Sequence, residues 1–473
     1  MAIQKKLAHY EKAIKHFSKA IERSPNFVKA YLHRGEVYRK MGKYDLAIAD
    51  YTEAASLTRR PHEAYCGRGI VYVAKGEIDK AIKDFTTAIH RSRSYDWDYP
   101  EAYYHRGNAY VAKEEIALAI EDYNTAIKLE PDYAEAYVKR GIAYANIGEI
   151  DIAIEDYNSA IRRNLQFAEA YYGRGTAYAI REELDFAILD FNKAICLEPR
   201  HAGFYYSRGH VYGLKREFDR AIIDYTKAIE LEPEHTGAYI DLGNAYIGKH
   251  QFDSAIVNYT KAIKLSPNNA YPYRRIGDVY SLQSDFDSAL TNYNKAIELN
   301  PDEAHTYHFR GFAYFLKGNS DLALADYAKA IGLKPDYVQV YYTRARTWLY
   351  QQEWEKARED LTTAKDKGLD ISILFRKGYD SIGDFEERND VKLPEDIAAM
   401  LTGQEQISTT PGDRQQFQPP CGVELPLFKD ITAMFPEQET RPSTHQIQKT
   451  RAIDKAELNT TQPSLDPQFG LQA

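Results

Sequence analysis

The chain has 473 residues and a formal net charge of −8. Nucleic-acid binding needs a basic stripe, so this modest acidic charge disfavours a nucleic-acid partner. The three cysteines are widely spaced and form no CxxC or Cys/His cluster, which argues against a disulfide framework and a zinc site.

The N-terminal residues MAIQKKLAHYEKAIKHF lack the apolar core of a secretion signal. No apolar run in the chain approaches the length that spans a membrane. We therefore expect a cytoplasmic protein with no membrane contact.

Residues 1–27 predict the second half of a helical repeat. Ala13, Phe17 and Ala20 fall on one helix face at i, i+4 and i+7, and Pro25 ends the helix. We interpret this segment as an N-terminal half repeat that caps an array.

Ten repeats follow in residues 28–368, and each predicts two antiparallel helices. Between residues 236 and 269, for example, one apolar face precedes a short polar turn, a second face follows it, and Pro267 ends the pair. One such pair cannot bury both faces alone, so the repeats are expected to stack. They begin at Val28, His62, Pro100, Ala134, Ala168, Ala202, Thr236, Ala270, Ala304 and Val338.

The repeats keep a strict register. Position 4 is Tyr in all ten, from Tyr31 to Tyr341, and position 8 is Gly in the first nine. A glycine inside a helix costs about 0.5–1 kcal/mol relative to alanine, so we expect it to allow close helix approach. The second helix supplies small residues at positions 20 and 27, such as Ala153 and Ala160, and an aromatic residue at position 24.

With Pro at position 32 of many copies, this pattern resembles the tetratricopeptide repeat family from Tyr31 to Ala364, about three-quarters of the chain. The resemblance implies an all-α, right-handed superhelical solenoid of antiparallel helix pairs. It also implies that the stacked first helices line a concave groove, with repeat positions 5 and 9 pointing into it.

The resemblance therefore implies which residues line the groove and bind a partner. They are Tyr104, Asn108, Tyr172, Thr176, Tyr206, His210, Ile240, Asn244, Arg274, Asp278, His308, Phe312, Tyr342 and Arg346, with Val138 and Ile142 at the same positions of the repeat from Ala134. Aromatic residues and arginine suit protein interfaces. The alternative is that these side chains only pack between neighbouring helices.

Some members of the family bind a chaperone's C-terminal carboxylate through Lys at position 5 and Asn at position 9. Position 5 is never Lys in this chain. We therefore expect an extended peptide or an amphipathic helix as the ligand.

Positions 7 and 23 predict an ion pair within each repeat. Eight repeats have Arg and Asp at these positions, and two adjacent repeats have neither, carrying Leu242 with Asn258 and Ile276 with Asn292. A shared duplication of the two exceptions would explain the correlation without contact. The predicted bidentate pairs include Arg34 with Asp50, Arg140 with Asp156, Arg174 with Asp190, Arg208 with Asp224, and Arg310 with Asp326.

Because residues 236–301 lack this pair, we expect packing alone to hold them. Any flexing of the array is therefore expected there first.

Three further segments depart from the repeat. Residues 90–99 insert four residues, as a tolerated surface loop or an aromatic contact loop. Residues 369–403 predict a C-terminal helical cap, with Ser381 and Asp384 as a capping pair and Pro394 before a last helix. Residues 404–473 predict a disordered tail.

One island in the tail is amphipathic. Its apolar residues are Leu427, Phe428, Ile431, Met434 and Phe435, spaced for one helix face. It is interpreted either as a helix for a groove, in a partner or in this chain, or as a chance cluster.

No metalloprotease, nucleophile-elbow or phosphate-loop motif is present, so we expect no enzyme activity, cofactor or metal. The sequence predicts a non-catalytic scaffold or adaptor that binds peptide or helix segments of other proteins in its concave groove. The alternative is a regulatory subunit of an enzyme or signalling complex, occluded by its own C-terminal tail. RNA binding is disfavoured by the charge, and the oligomeric state stays open.

Overall fold

A computed structural model describes residues 2–93 and 99–403 of the chain. Every regular element in these residues is a helix, and the helices succeed one another as pairs. The predicted all-α array of helix pairs is confirmed. The chain divides into two units, Met1–Val211 and Tyr212–Ala473, and the division falls within one helix.

The first unit begins with one long helix, α1, and continues with five helix pairs. Its helices are α1 Ala2–Arg23, α2 Val28–Lys40, α3 Tyr44–Ser56, α4 His62–Ala74, α5 Ile78–Arg93, α6 Pro100–Ala112, α7 Ile116–Leu129, α8 Ala134–Asn146, α9 Ile150–Arg163, α10 Ala168–Ile180 and α11 Leu184–Leu197. The division falls within α12 Ala202–Leu214.

The second unit continues the pattern and ends with three short helices. Its helices are α13 Phe218–Leu231, α14 Thr236–Gly248, α15 Phe252–Leu265, α16 Ala270–Leu282, α17 Phe286–Leu299, α18 Ala304–Leu316, α19 Ser320–Leu333, α20 Val338–Tyr350, α21 Trp354–Asp366, α22 Ile371–Gly378, α23 Ile382–Asn389 and α24 Glu395–Thr402.

A left-handed residue ends the first helix of a pair and reverses the chain. After α8, Gly148 has φ 90°, and the amide of Glu149 donates to the carbonyl of Tyr144 at 3.0 Å. The amide of Gly148 itself donates to Ala145, which completes a Schellman motif. Glu182 takes the same conformation with φ 60°, a less favourable choice for a residue that has a Cβ.

The glycines at position 8 allow the two helices of a pair to touch. A Cβ built on Gly243 would lie 2.6 Å from Cε1 of Tyr259, the aromatic residue at position 24 of the same repeat. Tyr259 is fully buried, with Ala255 and Ala262 beside it on α15. The glycine therefore compensates its helical cost by making room for a buried ring.

The three short helices close the end of the second unit. Phe375, Phe385, Ile397 and Leu401 share one buried cluster with Leu361 of α21. The Ser381 hydroxyl accepts from the amide of Asp384 at 3.0 Å, so Ser381 caps α23. The central part of the predicted insertion, residues 94–98, and the predicted tail, residues 404–473, lie outside the described residues.

Candidate partner-binding surface

The first helices of the first unit present partly exposed side chains at positions 5 and 9. These half-buried side chains are Tyr104, Asn108, Ile142, Tyr172, Thr176, Tyr206 and His210. Val138 and Cys66, both at position 5, are exceptions, since they are 0 % and 3 % exposed. The exposed parts of the others form the surface on which a partner could lie.

The same rings also pack between repeats. The Tyr104 ring lies 5.1 Å from the ring of Tyr133, which precedes the next repeat. The Tyr172 ring lies 5.0 Å from Phe204 of the next repeat. Because neighbouring repeats hold them, these rings have little freedom to change their orientation.

A tyrosine of the second helix fixes some of the polar residues at position 9. The Tyr123 hydroxyl donates to Oδ1 of Asn108 at 2.7 Å, and the Tyr259 hydroxyl donates to Oδ1 of Asn244 at 2.7 Å. Each bond joins positions 24 and 9 of one repeat. The sequence analysis missed this link because it assigned position 24 only to packing.

A cavity of about 490 Å³ lies along the first three repeats. Its polar wall includes Lys29, Glu63 and Glu101 at position 2 and His33 and His105 at position 6. The sequence analysis missed these positions. The available signal was position 2, which is glutamate in four consecutive repeats: Glu63, Glu101, Glu135 and Glu169.

The charge along this row is negative. Burial raises the pKa of Glu130, and the carboxylates of Glu101 and Glu135 raise it further. Glu169 has a cationic partner, since Lys139 Nζ donates to its Oε1 at 2.7 Å. The surface of the first unit is therefore aromatic and acidic.

In the second unit the same positions become enclosed. Ile240 and Asn244 on α14 are half-buried. The six predicted groove residues that follow on α16, α18 and α20 are only 1–7 % exposed: Arg274, Asp278, His308, Phe312, Tyr342 and Arg346. The predicted groove residues therefore do not form one uniform surface.

A buried polar network replaces the repeat ion pair around α14 and α16. Arg275 donates to Asp278 at 3.0 Å and to Oδ1 of Asn244 at 3.2 Å. The Tyr293 hydroxyl donates to the other oxygen of Asp278, also at 3.0 Å. The expectation that packing alone holds residues 236–301 is therefore wrong, because charged hydrogen bonds connect α14, α16 and α17.

His308 is buried between two hydroxyl groups. Its Nδ1 lies 2.8 Å from the Tyr337 hydroxyl, and its Nε2 lies 2.8 Å from Oγ1 of Thr343. That Oγ1 donates its own hydrogen to the carbonyl of Gln339 at 2.7 Å, so it accepts from Nε2. Nδ1 then accepts from Tyr337. Burial lowers the pKa of His308 to about 3, in agreement with this neutral form.

The arginine at position 7 contacts both oxygens of the aspartate at position 23. In Arg140, Nε donates to Oδ2 of Asp156 at 2.8 Å and Nη2 donates to Oδ1 at 2.6 Å. The same two bonds join Arg34 to Asp50, Arg174 to Asp190, and Arg310 to Asp326. Each pair links the two helices of one repeat.

The remaining nitrogen of this arginine reaches the preceding repeat. Arg140 Nη1 donates to Oδ1 of Asn124, and Arg310 Nη1 donates to Oδ1 of Asn294. Arg68 uses the hydroxyl of Thr52 in the same way. Sequence reasoning missed this third bond because several residue types serve as its acceptor.

The pair predicted for Arg208 and Asp224 stays a prediction, since its two residues belong to different units. In the second unit, Asn258 and Asn292 take the place of the aspartate. Nδ2 of Asn258 donates to the carbonyl of Ser254 at 2.8 Å, and Nδ2 of Asn292 donates to the carbonyl of Ser288 at 2.8 Å. Both bonds lie within one helix. These amides therefore need no arginine.

Within residues 2–93 and 99–403, no three His, Cys, Asp or Glu side chains gather as a metal site requires. In the same described part of the chain, no helix combines the length and apolar character that crossing a membrane requires.

Protein-family models match most of the array. Models described as tetratricopeptide repeat match residues 28–57, 62–95, 138–203, 202–235 and 304–337. A model described as TPR repeat matches residues 9–42, 107–148, 243–284 and 277–318. A search of curated proteins found no match.

Several solved structures are similar to parts of the chain. MamA is 32 % identical, covers 36 % of this chain and 94 % of its own, and has a TM-score of 0.33. YrrB, described as a TPR protein with an unusual peptide-binding site, is 27 % identical over 39 % of this chain and 92 % of its own, with a TM-score of 0.31. Yeast Tom70 is 18 % identical over 77 % of this chain and 89 % of its own, with a TM-score of 0.40.

The family models together match more than half of the residues. They agree with the repeated helix pairs and with the glycine and tyrosine contacts within those pairs. The chain belongs to the tetratricopeptide repeat family.

Proposed function

We propose that this chain is a non-catalytic scaffold that binds a peptide or helical segment of partner proteins along the first helices of its repeats. The observation that carries the proposal is the set of half-buried groove side chains in the first unit, on α6, α10 and α12. Rings that are already held by neighbouring repeats lose little conformational entropy when a partner covers them.

The charge of this surface favours a basic partner segment. Glu63 and Glu101 line the cavity of the first three repeats, and Glu135 continues the row. Lysine or arginine side chains of a bound peptide would pair with these carboxylates, which speeds association and selects the partner. The same charge repels the phosphates of nucleic acids. We also propose that the protein is cytoplasmic.

Capture of partners by the full-length chain tests the proposal. Tyr172→Ala removes a groove ring, and Thr176→Arg keeps the ring but adds bulk and positive charge beside it. We expect both variants to lose partners that the unmodified chain retains.

Two substitutions on second helices serve as controls. Leu118 and Leu189 are 42 % and 62 % exposed on α7 and α11, so Leu118→Ser and Leu189→Ser change an exposed apolar side chain outside the groove positions. These variants are expected to keep the same partners. Retention of every partner by both groove variants would refute the proposal.

The second candidate function is a regulatory subunit of an enzyme or signalling complex, occluded by its own tail. The enclosure of the groove positions on α16, α18 and α20 favours it.

A further inference from the structure

Ion pairs connect the turns of neighbouring repeats. Position 14 is lysine or arginine in six of the ten repeats. In the first unit its side chain contacts the aspartate at position 18 of the preceding repeat, at 2.7–3.0 Å: Lys75 with Asp45, Lys113 with Asp79, and Arg181 with Asp151. The second unit repeats this contact between Lys249 and Asp219 and between Lys317 and Asp287.

The repeat from Ala134 lacks both charges of this turn pair. Its position 14 is Ile147, and position 18 of the preceding repeat is Ala117. Ile147 is 52 % exposed, and Leu118 and Ile152, which flank this turn, are 42 % and 40 % exposed. We name Ala117, Leu118, Ile147 and Ile152 the turn patch. Neighbouring exposed aliphatic side chains in place of an ion pair are typical of an interaction surface.

The rim of the turn patch is acidic. Glu149 in the same turn is exposed, and so are Glu121 and Glu155, one helical turn further along α7 and α9. The cations of the two adjacent turns, Lys113 and Arg181, each contact an aspartate. The patch therefore suits an aliphatic side chain that is accompanied by positive charge. The turn patch of another copy, or an anionic surface, would meet these carboxylates with like charge.

Helix α1 has the complementary chemistry. It contains six lysine or arginine residues and two glutamates, so its formal net charge is +4 in a chain whose net charge is −8. Lys12, Lys15 and Lys19 are exposed, and Leu7 is 47 % exposed. The helix therefore presents an aliphatic side chain together with lysines.

The N-terminal part of α1 extends past the helix on which it packs. α1 has 22 residues, whereas α3 and α5 have 13 and 16. The turn pairs show that position 14 lies beside position 18 of the preceding repeat, and the equivalent residues here are Met41 and Glu11. The end of α2 is thus level with Glu11, and residues 2–10, which include Leu7, lie beyond it.

Helix α1 is fixed far from the turn patch of its own chain. Arg34 Nη1 donates to the Ser18 hydroxyl at 3.0 Å, and the Phe17 ring stacks on His33 with the ring centres 5.6 Å apart, so α1 is held on α2. Four helices, α3 to α6, separate α2 from α7 in the array. A contact between α1 and the turn patch therefore joins two copies of the chain.

We propose that α1 of one copy binds the turn patch of a second copy. Leu7 lies against Leu118 and Ile147, and Lys12 and Lys15 lie toward the acidic rim. Each copy has one α1 and one turn patch, so the contact is heterologous and repeats into a ring or a filament.

The two surfaces agree in length. Lys12 follows Leu7 by five residues along α1, and Glu121 follows Leu118 by three residues along α7. These separations are about 7.5 and 4.5 Å along a helix, a difference that a flexible lysine side chain can bridge.

Sedimentation velocity of the full-length chain tests for self-association. We expect the weight-average sedimentation coefficient to rise with protein concentration at low salt. Added salt should reduce the rise, because it screens the attraction between exposed charges. A chain that stays monomeric at every concentration in low salt would overturn the proposal.

A double variant, Ala117→Asp with Ile147→Lys, tests the turn patch. It installs the ion pair that Lys113 and Asp79 form one repeat earlier, so the array should fold as before, with an unchanged midpoint of thermal unfolding. We expect self-association to weaken at least about tenfold. Leu322→Lys is the control, at a position 19 residue of α19 that is 51 % exposed, and should associate like the unmodified chain. Unchanged association in the double variant would contradict the proposal.

Charge exchange tests α1 as the occupant. Lys12→Glu with Lys15→Glu gives both surfaces negative charge and should remove self-association. Adding Glu121→Lys and Glu155→Lys should restore it, because the two surfaces again have opposite charge. Failure of the combined variant to associate would assign the contact to another part of the chain.

The matched control for α1 lies on α5. Lys80 and Lys83 occupy the same repeat positions, 19 and 22, as the two exchanged lysines of α1. Lys80→Glu with Lys83→Glu should therefore keep self-association. An equal loss in this variant would show a general effect of charge and would rule out α1 as the specific occupant.

Self-association and partner capture are separable, because the turn patch lies on turns and second helices and the groove positions lie on first helices. Tyr172→Ala is expected to lose partners and to keep self-association. Ala117→Asp with Ile147→Lys is expected to do the reverse. Either proposal can therefore fail without the other.

Discussion

Arg140 binds both carboxylate oxygens of Asp156, at 2.6 and 2.8 Å, and thereby joins the two helices of its repeat. Asp156 is 3 % exposed, so its charge depends on this guanidinium. Burial raises the pKa of Asp156, and the hydrogen bonds from Arg140 oppose that rise.

Arg140→Leu should destabilise the first unit by about 2–4 kcal/mol, because it leaves a buried carboxylate without its cation. Adding Asp156→Asn should recover most of that loss. The repeat from Thr236 shows why, since it has Leu242 and Asn258 at these two positions, and Asn258 donates to a carbonyl of its own helix. Urea unfolding of the single and double variants gives the coupling free energy.

The exposed pair of Arg181 and Asp151 is the matched control. Its atoms lie 2.7 Å apart, but its side chains are 43 % and 83 % exposed. Its coupling free energy should stay below about 1 kcal/mol. A value for Arg140 and Asp156 no larger than this control would show that the buried pair does not stabilise the repeat.

Gly243→Ala should destabilise the second unit by about 1–3 kcal/mol. The added methyl group would lie 2.6 Å from the ring of buried Tyr259, and this overpacking outweighs the gain in helix propensity. Gly332→Ala is the control, since a Cβ on Gly332 of α19 would meet nothing within 4 Å. Thermal unfolding should show a lower midpoint for the first variant and an equal or higher midpoint for the second.

Asp278→Ala should cost about 3–5 kcal/mol in the second unit. The carboxylate is 1 % exposed and accepts from Arg275 and Tyr293, so its removal leaves buried cationic and hydroxyl groups without their acceptor. Native-state hydrogen exchange of α16 and α17 measures the loss. Asp253→Ala, at an exposed position of α15, should change protection by less than about 1 kcal/mol. If both variants exchange alike, the network contributes little.

The second unit should lose stability in acid because of His308. Its pKa is about 3 in the folded chain, below the ordinary value of 6.5, so the unfolded chain binds more protons between these values. Stability is therefore full above pH 6.5 and falls as the pH drops toward 3, by at most about 1.4 kcal/mol per pH unit.

His308→Gln removes this titration, and His16→Gln, at an exposed site on α1, serves as the control. Unfolding between pH 4 and 7 should show a smaller pH dependence for the first variant only. An unchanged pH dependence in His308→Gln would assign the acid sensitivity to other groups.

The repeating contacts could be predicted from the sequence because one residue type serves each role. Glycine at position 8 predicted close approach, and the structure places Gly243 against Tyr259. Arginine and aspartate occur or disappear together, and the structure places Arg140 against Asp156. Register and co-occurrence thus predicted the confirmed helix-pair fold and indicated which residues meet within a repeat.

The contacts between repeats were less accessible. Serine, threonine and asparagine all accept the third arginine bond, so no single residue type marked that position. The network of Arg275 and Asp278 occupies positions that were assigned to a groove. Of the two partners of His308, Tyr337 is the last residue of the same repeat and Thr343 lies in the next repeat, where a pattern within one repeat gives no signal.

The third arginine bond also bears on how such an array can grow. Each full ion pair is contained within one repeat. The bond to the neighbouring repeat needs only a side-chain oxygen, as Asn124 or Thr52 provides. A duplicated or deleted repeat therefore takes both of its charges with it, and the new junction finds an acceptor wherever the preceding repeat carries Ser, Thr or Asn at that position. The array can change its number of repeats by recombination without any second mutation to restore charge balance.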